Sequence, residues 1–465
     1  MNDKKIKNYY LLVLIIISLI NIGLNIESKY IVIDFYSKYS EENIKNNYYH
    51  NNLTKNYVYT QLKLGSNEQL LEMRLDLNNY VTYIVNQDLI KEKNKISFNP
   101  QSSNTFYNLS IAFISYTNDL YNSFISKDTL TINNKKLNDY YFAYANILNY
   151  YDDIPSGSIG FNYYKDYIIP KENLNLIDQL KNNELISGYS LTFHFTSNYK
   201  GQLYLGADMD EIFSDKYSSS DKKIIKITGG NNRIYNRWGL TFNKIKVGED
   251  ELEYSTTANF NLREDFILAT DEYSEIIFSK FFSELIHQNK CIKENYSYNI
   301  NAYTIRCKKD TNIKHFPVLD FLLSDVDMEP FHLIFDYNSL FDVIGEYLYF
   351  KIILINRFDP TISVSIEWTF GKTFFKKYIM TLNKDKKTIT FYNETNNSNN
   401  ENTKEYELKN KNKNAALIIL SIILFILVLS TFFLLKKCIH QQIEINKRKK
   451  KNILVTEMSY YQSDI

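Results

Sequence analysis

The sequence predicts a mainly β protein carrying one C-terminal transmembrane helix, and three observations lead there. First, short runs such as "YVYTQLKLG", "DTLTIN", "YSLTFHF", "GQLYLG", "LTFNKIKVG" and "TITFY" alternate β-branched or aromatic residues with polar ones. That period of two, bounded by polar turns, suits half-buried strands. Second, only "NLIDQLKNNELI" and "YSEIIFSKFFSELIHQ" have helical spacing within the large central region. Third, residues 415–435 form an uncharged apolar segment of 21 residues, long enough to span a bilayer.

The elements follow in chain order. Residues 1–27 combine a basic start ("KKIKNYY") with an apolar stretch from Leu11, which reads as a secretory signal peptide or an uncleaved signal anchor. Residues 28–55 are a polar N-terminal segment, and the strand-rich region covers residues 56–392. Residues 393–414 lack apolar periodicity and read as a flexible stalk. The spanning segment 415–435 follows, and then a basic tail, 436–465, with seven Lys/Arg between Lys436 and Lys451. Positive charge is retained on the cytoplasmic side, so this reads as a single-pass protein of the secretory pathway or cell surface. The large domain then faces the lumen or the outside, and the tail faces the cytoplasm.

Composition narrows the function classes. With 465 residues, 44% hydrophobic and 23% charged, the chain can bury a large core. The 54 basic and 53 acidic residues leave a net charge of +1, so no global field would recruit nucleic acid. The six histidines form no HExxH or Cys/His ligand pattern, "GADMDE" lacks the remaining ligands of a calcium loop, and no phosphate-binding glycine loop or serine elbow is present. No cofactor and no metal is expected. Cys291 and Cys307 lie in the predicted ectodomain, where oxidation is permitted, and are expected to pair. Cys438 lies just inside the membrane as a thiol, open to palmitoylation. Glycosylation sequons occur at Asn52, Asn108, Asn295, Asn393 and Asn396.

Laid end to end, the strands of residues 56–392 resemble the pepsin-like (A1) aspartic proteases. "YTQLKLGSNEQLLEMRLDLNNYVTYIV" is similar to the opening hairpin and the strand that delivers the family's first Asp-Thr-Gly. "ISYTNDLYNSFISKDTLTI" resembles the flap and its return strand, and "PSGSIGFNYY" the segment that packs behind the first acid. "LNLIDQLKNNELISGYSLTFHF" with "GQLYLGADMDEIF" resembles the lobe-crossing helix and hairpin. "RWGLTFNKIKVGEDEL" and "EWTFGKTFFKKYIMTLNKDKKTITFY" resemble the segments before the second acid and at the close of the fold. The resemblance implies a bilobal fold, with an N-terminal lobe over residues 56–187 and a C-terminal lobe over residues 188–392, a flap over a cleft, and the Cys291–Cys307 pair in the second lobe.

In that family each lobe brings one aspartate to the cleft floor, and the pair shares a proton while polarising a water. Here the first triplet is Asp76-Leu77-Asn78. Aligned through "ILATDEYSEI", the second reads Arg263-Glu264-Asp265, so the partner acid is lost at Arg263. A guanidinium beside Asp76 would form a salt bridge, and its own pKa, above about 12, bars it from acid–base work. A turn shifted by one or two residues would instead offer Glu264 or Asp265 as second acid. Tyr116 falls on the flap tyrosine, but "TND" replaces the glycine-bearing sequence after it. The resemblance thus implies a membrane-anchored pseudoprotease whose cleft binds a peptide or protein partner through Tyr116 and Arg263. Two other readings stay open: a membrane-anchored aspartic endopeptidase with an atypical second triplet, and a β-rich surface protein alike only in fold.

Overall fold

The structure is a computed structural model that describes residues 30–37, 57–86, 97–113, 120–148, 156–163, 173–213, 216–217, 222–227, 237–252, 256–297, 302–313, 316, 318–355, 367–392, 436–437 and 439–449. Tyr116, Cys438, Asn52, Asn393, Asn396 and the segments 1–27, 393–414 and 415–435 lie outside those residues. Among the described residues, no helix is long and apolar enough to cross a membrane.

The protein is mainly β, as its alternating runs predict. Within the compact unit Ser28–Thr395, strands assemble into a 13-stranded, a 9-stranded and a 4-stranded sheet. Helices are short: Leu176–Asn182 is capped by Asn175, whose side chain accepts from the N–H groups of Ile177 and Asp178. Asp271–Phe281 and Ser283–His287 together make up the second helical stretch read from the sequence. Aromatic side chains fill the core: Phe374 lies 4.5 Å from Phe370 and 5.4 Å from Phe260, centroid to centroid, both stacked. Trp238, fully buried, donates its indole N–H to the Phe161 carbonyl at 2.7 Å, giving a polar ring edge the partner that burial demands.

The segment 28–55 is more than a polar lead-in. Ile31–Ser37 is an inner strand of the largest sheet, hydrogen-bonded on one side to Lys200–Leu205 and on the other to Val58–Leu64. Ile31, Ile33 and Phe35 alternate inward and are buried. Phe35 sits opposite Gly201, where a Cβ would come within 2.4 Å of the phenyl ring, so the glycine makes room for it. Phe35→Ala should lower the unfolding free energy by about 3–5 kcal/mol, measured by urea denaturation, because a buried aromatic is lost and its cavity is walled by strands on both sides.

One arrangement occurs twice. Gln69–Asp76 runs parallel to Gly157–Gly160, which on its other side runs antiparallel to Tyr83–Val85. Thr256–Phe260 likewise runs parallel to Trp368–Phe370, which is antiparallel to Ile267–Leu268. In both, the chain leaves a strand, makes a loop, and returns on the far side of a strand contributed from much later in the sequence.

Cys291 and Cys307 are disulfide-bonded, directly opposite one another at the head of the Cys291–Ser297 and Ala302–Lys308 hairpin. Asn108 and Asn295, the two sequons among the described residues, are both exposed.

Candidate functional site

The two crossing arrangements fix a residue-by-residue correspondence. In the first, Ser158 faces Arg74 on one side and Tyr83 on the other. In the second, Thr369 faces Asn259 and Leu268. Both pairs differ by 185 positions (259 − 74 and 268 − 83), so Asp76 corresponds to Asn261 and Asn78 to Arg263. Three further contacts agree. The Asn78 N–H donates to Asp76 Oδ1 at 2.9 Å, and the Arg263 N–H donates to Asn261 Oδ1 at 3.0 Å, the same side-chain turn in each loop. A Cβ on Gly160 would meet the Asn79 and Val81 carbonyls at 2.6 and 2.7 Å. On Gly371 it would meet the corresponding carbonyls of Glu264 and Phe266 at 2.4 and 2.2 Å. Glycine is required at both crossings because backbone passes directly over it.

The alignment through "ILATDEYSEI" therefore sets the second triplet two residues late. The residue structurally equivalent to Asp76 is Asn261, an uncharged amide, and Arg263 stands two positions further along the turn.

Arg263 nevertheless reaches Asp76. Its Nη2 donates to Asp76 Oδ2 at 2.6 Å, joining residues 187 positions apart. Arg74, on the same strand face as Asp76, approaches the same oxygen with its own Nη2 at 3.5 Å. Asp76 is 1% exposed, Arg74 4% and Arg263 26%, so the carboxylate is sealed in while one guanidinium touches solvent. Arg74 is held by the Ser158 hydroxyl at 3.4 Å and the Tyr83 hydroxyl at 3.2 Å. The Tyr57 ring lies against both guanidiniums, 4.7 Å from the Arg74 Cζ and 5.8 Å from the Arg263 Cζ. Burial alone would push the Asp76 carboxyl up. Arg263, Arg74 and the Asn78 N–H together outweigh it and hold the group below the ordinary carboxylate value.

Both neighbouring residues are tied to Lys372, Asp265 by its side chain and Glu264 by its backbone. Asp265 Oδ1 pairs with the ammonium of Lys372 at 2.9 Å, and that lysine is fully buried. The Glu264 backbone carbonyl accepts from the Lys372 N–H at 2.8 Å, which pins the loop against the start of the Lys372–Lys377 helix. Asp265 thus has a buried cation of its own.

Of the site residues read from the sequence, Asp76 and Arg263 come together and Tyr116 falls outside the described residues. The strands flanking it, Tyr107–Phe113 and Leu120–Ile132, form an antiparallel hairpin at the edge of the 13-stranded sheet. Arg74, Tyr57, Asn261 and Lys372 were missed. Arg74 left a trace in "LLEMRLD", where an arginine two residues before the aspartate must share its strand face. Asn261 left another: "LDLN" and "FNLR" each stand within two residues of an apolar run. Among the described residues, no cluster of three His, Cys, Asp or Glu is placed to hold a metal ion.

Chemically, this centre is a carboxylate neutralised by guanidinium groups. Among the described contacts of Asp76, the charged partners are guanidiniums and none is a second carboxyl. No protein-family model matches the chain, and no curated protein matches it.

Proposed function

We propose that this chain is a membrane-anchored, pepsin-like protein that has given up proteolysis and keeps a cleft for a peptide or protein partner. The observation that carries this reading is the ion pair between Asp76 and Arg263, together with Asn261 at the position equivalent to Asp76. General acid–base hydrolysis by paired carboxyls needs one protonated and one ionised acid. An aspartate held as the anion, with an amide at the equivalent position of the second crossing, supplies neither the second acid nor the shared proton. The repeated crossing arrangement supports the two-lobed assignment, since a fold built from two like halves brings each half's crossing loop to the same place. What such a fold retains is a groove for an extended chain, which strand-like hydrogen bonding and side-chain pockets can recognise. In this reading the N-terminal segment directs secretion, residues 415–435 span the bilayer, and the strand-rich unit is displayed outside or in the lumen.

The test is a random peptide library presented to purified residues 28–413 across pH 3–7, beside an Asp76→Ala control. The expected result is capture of a subset of peptides with no cleavage at any pH. Cleavage that vanishes in the Asp76→Ala control would overturn the proposal and restore the endopeptidase reading.

A further inference from the structure

We propose that the helix after the apolar segment is a docking surface for the anionic headgroups of the adjacent bilayer leaflet. The inference rests on the reading of residues 415–435 as membrane-spanning. Backbone at 436–437 and 439–449 is helical, and every described residue there is exposed. Five of those residues are cationic, Lys436, Lys437, Lys447, Arg448 and Lys449, against the single acid Glu444. Glu444 is itself met by Arg448 at 3.9 Å, one turn along. Lys450 and Lys451 extend the run in sequence.

The apolar residues match the same partner. Ile439 and Ile443 lie one turn apart and are 56% and 47% exposed, and Lys447 continues their face a turn further on; a third isoleucine, Ile445, 48% exposed, lies on the other side of the helix. A face that sets aliphatic groups in line with a lysine suits the interface of a bilayer. The isoleucines can settle between headgroups while the lysine stem lies along them and its ammonium reaches phosphate. Glu444, Arg448 and Lys449 all stand about 100–140° round the helix from Ile443, so the acid is offset by the arginine it meets rather than by its direction. A purely topological signal would need the cations but not the isoleucines. A water-soluble charged helix would need neither of the isoleucines one turn apart.

Distance also favours the lipid over a protein partner. Helical backbone is present from the first residue beyond the apolar segment, and residues 439–449 would extend about 16 Å if fully helical. Lying along the surface, all of it remains within one or two Debye lengths, about 8 Å each at physiological salt, of the charged leaflet.

The experiment uses the full chain reconstituted into two kinds of nanodisc, phosphatidylcholine alone and phosphatidylcholine with phosphatidylserine, followed by amide hydrogen exchange of residues 439–449. The expected result is exchange slowed about tenfold in the anionic discs, with the slowing removed by 1 M salt or by the Lys447→Gln/Arg448→Gln/Lys449→Gln variant. Equal exchange in the two discs, with the chain demonstrably inserted in both, would overturn the docking surface alone. A chain that fails to co-migrate with either disc would overturn the spanning segment and the docking surface together.

Discussion

Asp76→Ala should destabilise the Ser28–Thr395 unit by about 3–5 kcal/mol at pH 7, read from urea denaturation, even though the substitution removes only a small side chain. The loss arises from what stays behind. Arg74 is almost wholly buried, and without the carboxylate it loses the anion 3.5 Å from its guanidinium, while the Ser158 and Tyr83 hydroxyls and the Tyr57 ring, all neutral, stay beside it. Arg263→Ala should cost less, about 1.5–3 kcal/mol, because Asp76 retains Arg74 and the Asn78 N–H, and because the lost guanidinium was partly solvated. The pH dependence follows from the sign of the shift. Asp76 has its carboxyl held below the ordinary value of 3.8, so its contribution is fully present above that value. It is lost only as pH falls through the lowered folded value. The difference between wild type and Asp76→Ala should therefore be flat from pH 7 down to about 4 and shrink below that. A difference within about 0.5 kcal/mol at pH 7 would mean that the ion pair contributes nothing, and the central physical argument would fail.

The second large effect concerns position 261. Asn261→Asp combined with Arg263→Ser should create a carboxyl pair and raise the apparent pKa of that pair by about 1–3 units above wild-type Asp76, followed by carbon-13 NMR of the aspartate carboxyls. The single variants separate the causes. Arg263→Ser alone removes one cation and should give a small rise, limited by Arg74. Asn261→Asp alone adds an anion with Arg263 still available to neutralise it, and should change little. Only the double variant leaves two carboxyls sharing a site with too little positive charge between them. If the carboxyl introduced at position 261 titrates as an isolated surface acid in the double variant, the 185-residue correspondence is wrong there. Placing the new acid at position 263 instead, by Arg263→Asp alone, tests the register that the local sequence suggests. Its carboxyl should show no such coupling, since position 263 corresponds to Asn78 rather than to Asp76.

That two-residue difference shows what the sequence could and could not disclose. The strands were readable because alternation of apolar and polar residues reports one-sided burial directly, as in "QLKLG" and "TITFY". The Cys291–Cys307 bond was readable because the compartment argument needs no geometry. The pairing of Asp76 with Arg263 was reached despite a misplaced register, because a guanidinium is long enough to cover two residues of error. The register itself was hidden. It is set by which residue of Trp368–Phe370 faces Thr256–Phe260, a contact across about a hundred residues with no local signature. Arg74 and Lys372 went unnoticed for a different reason. Charged residues are read as solvent-facing by default, and both are buried, Arg74 beside Asp76 on its own strand and Lys372 against Asp265, far earlier in the chain. The strand Ile31–Ser37 was missed because its alternating "IVIDF" is short and embedded in polar sequence.

That strand also bears on when the protein can finish folding. Ile31 is matched to Leu205, 174 residues later, so this strand must wait for a partner made long after it. Until residue 205 has emerged, the strand's Lys200–Leu205 edge and its three inward apolar side chains have no partner from that hairpin, the condition under which strands pair with the wrong neighbour. Long-range pairing of this kind is slow in itself, because loop closure must precede any gain from contact. Maturation of the unit should therefore lag behind synthesis and lean on whatever folding assistance its compartment supplies.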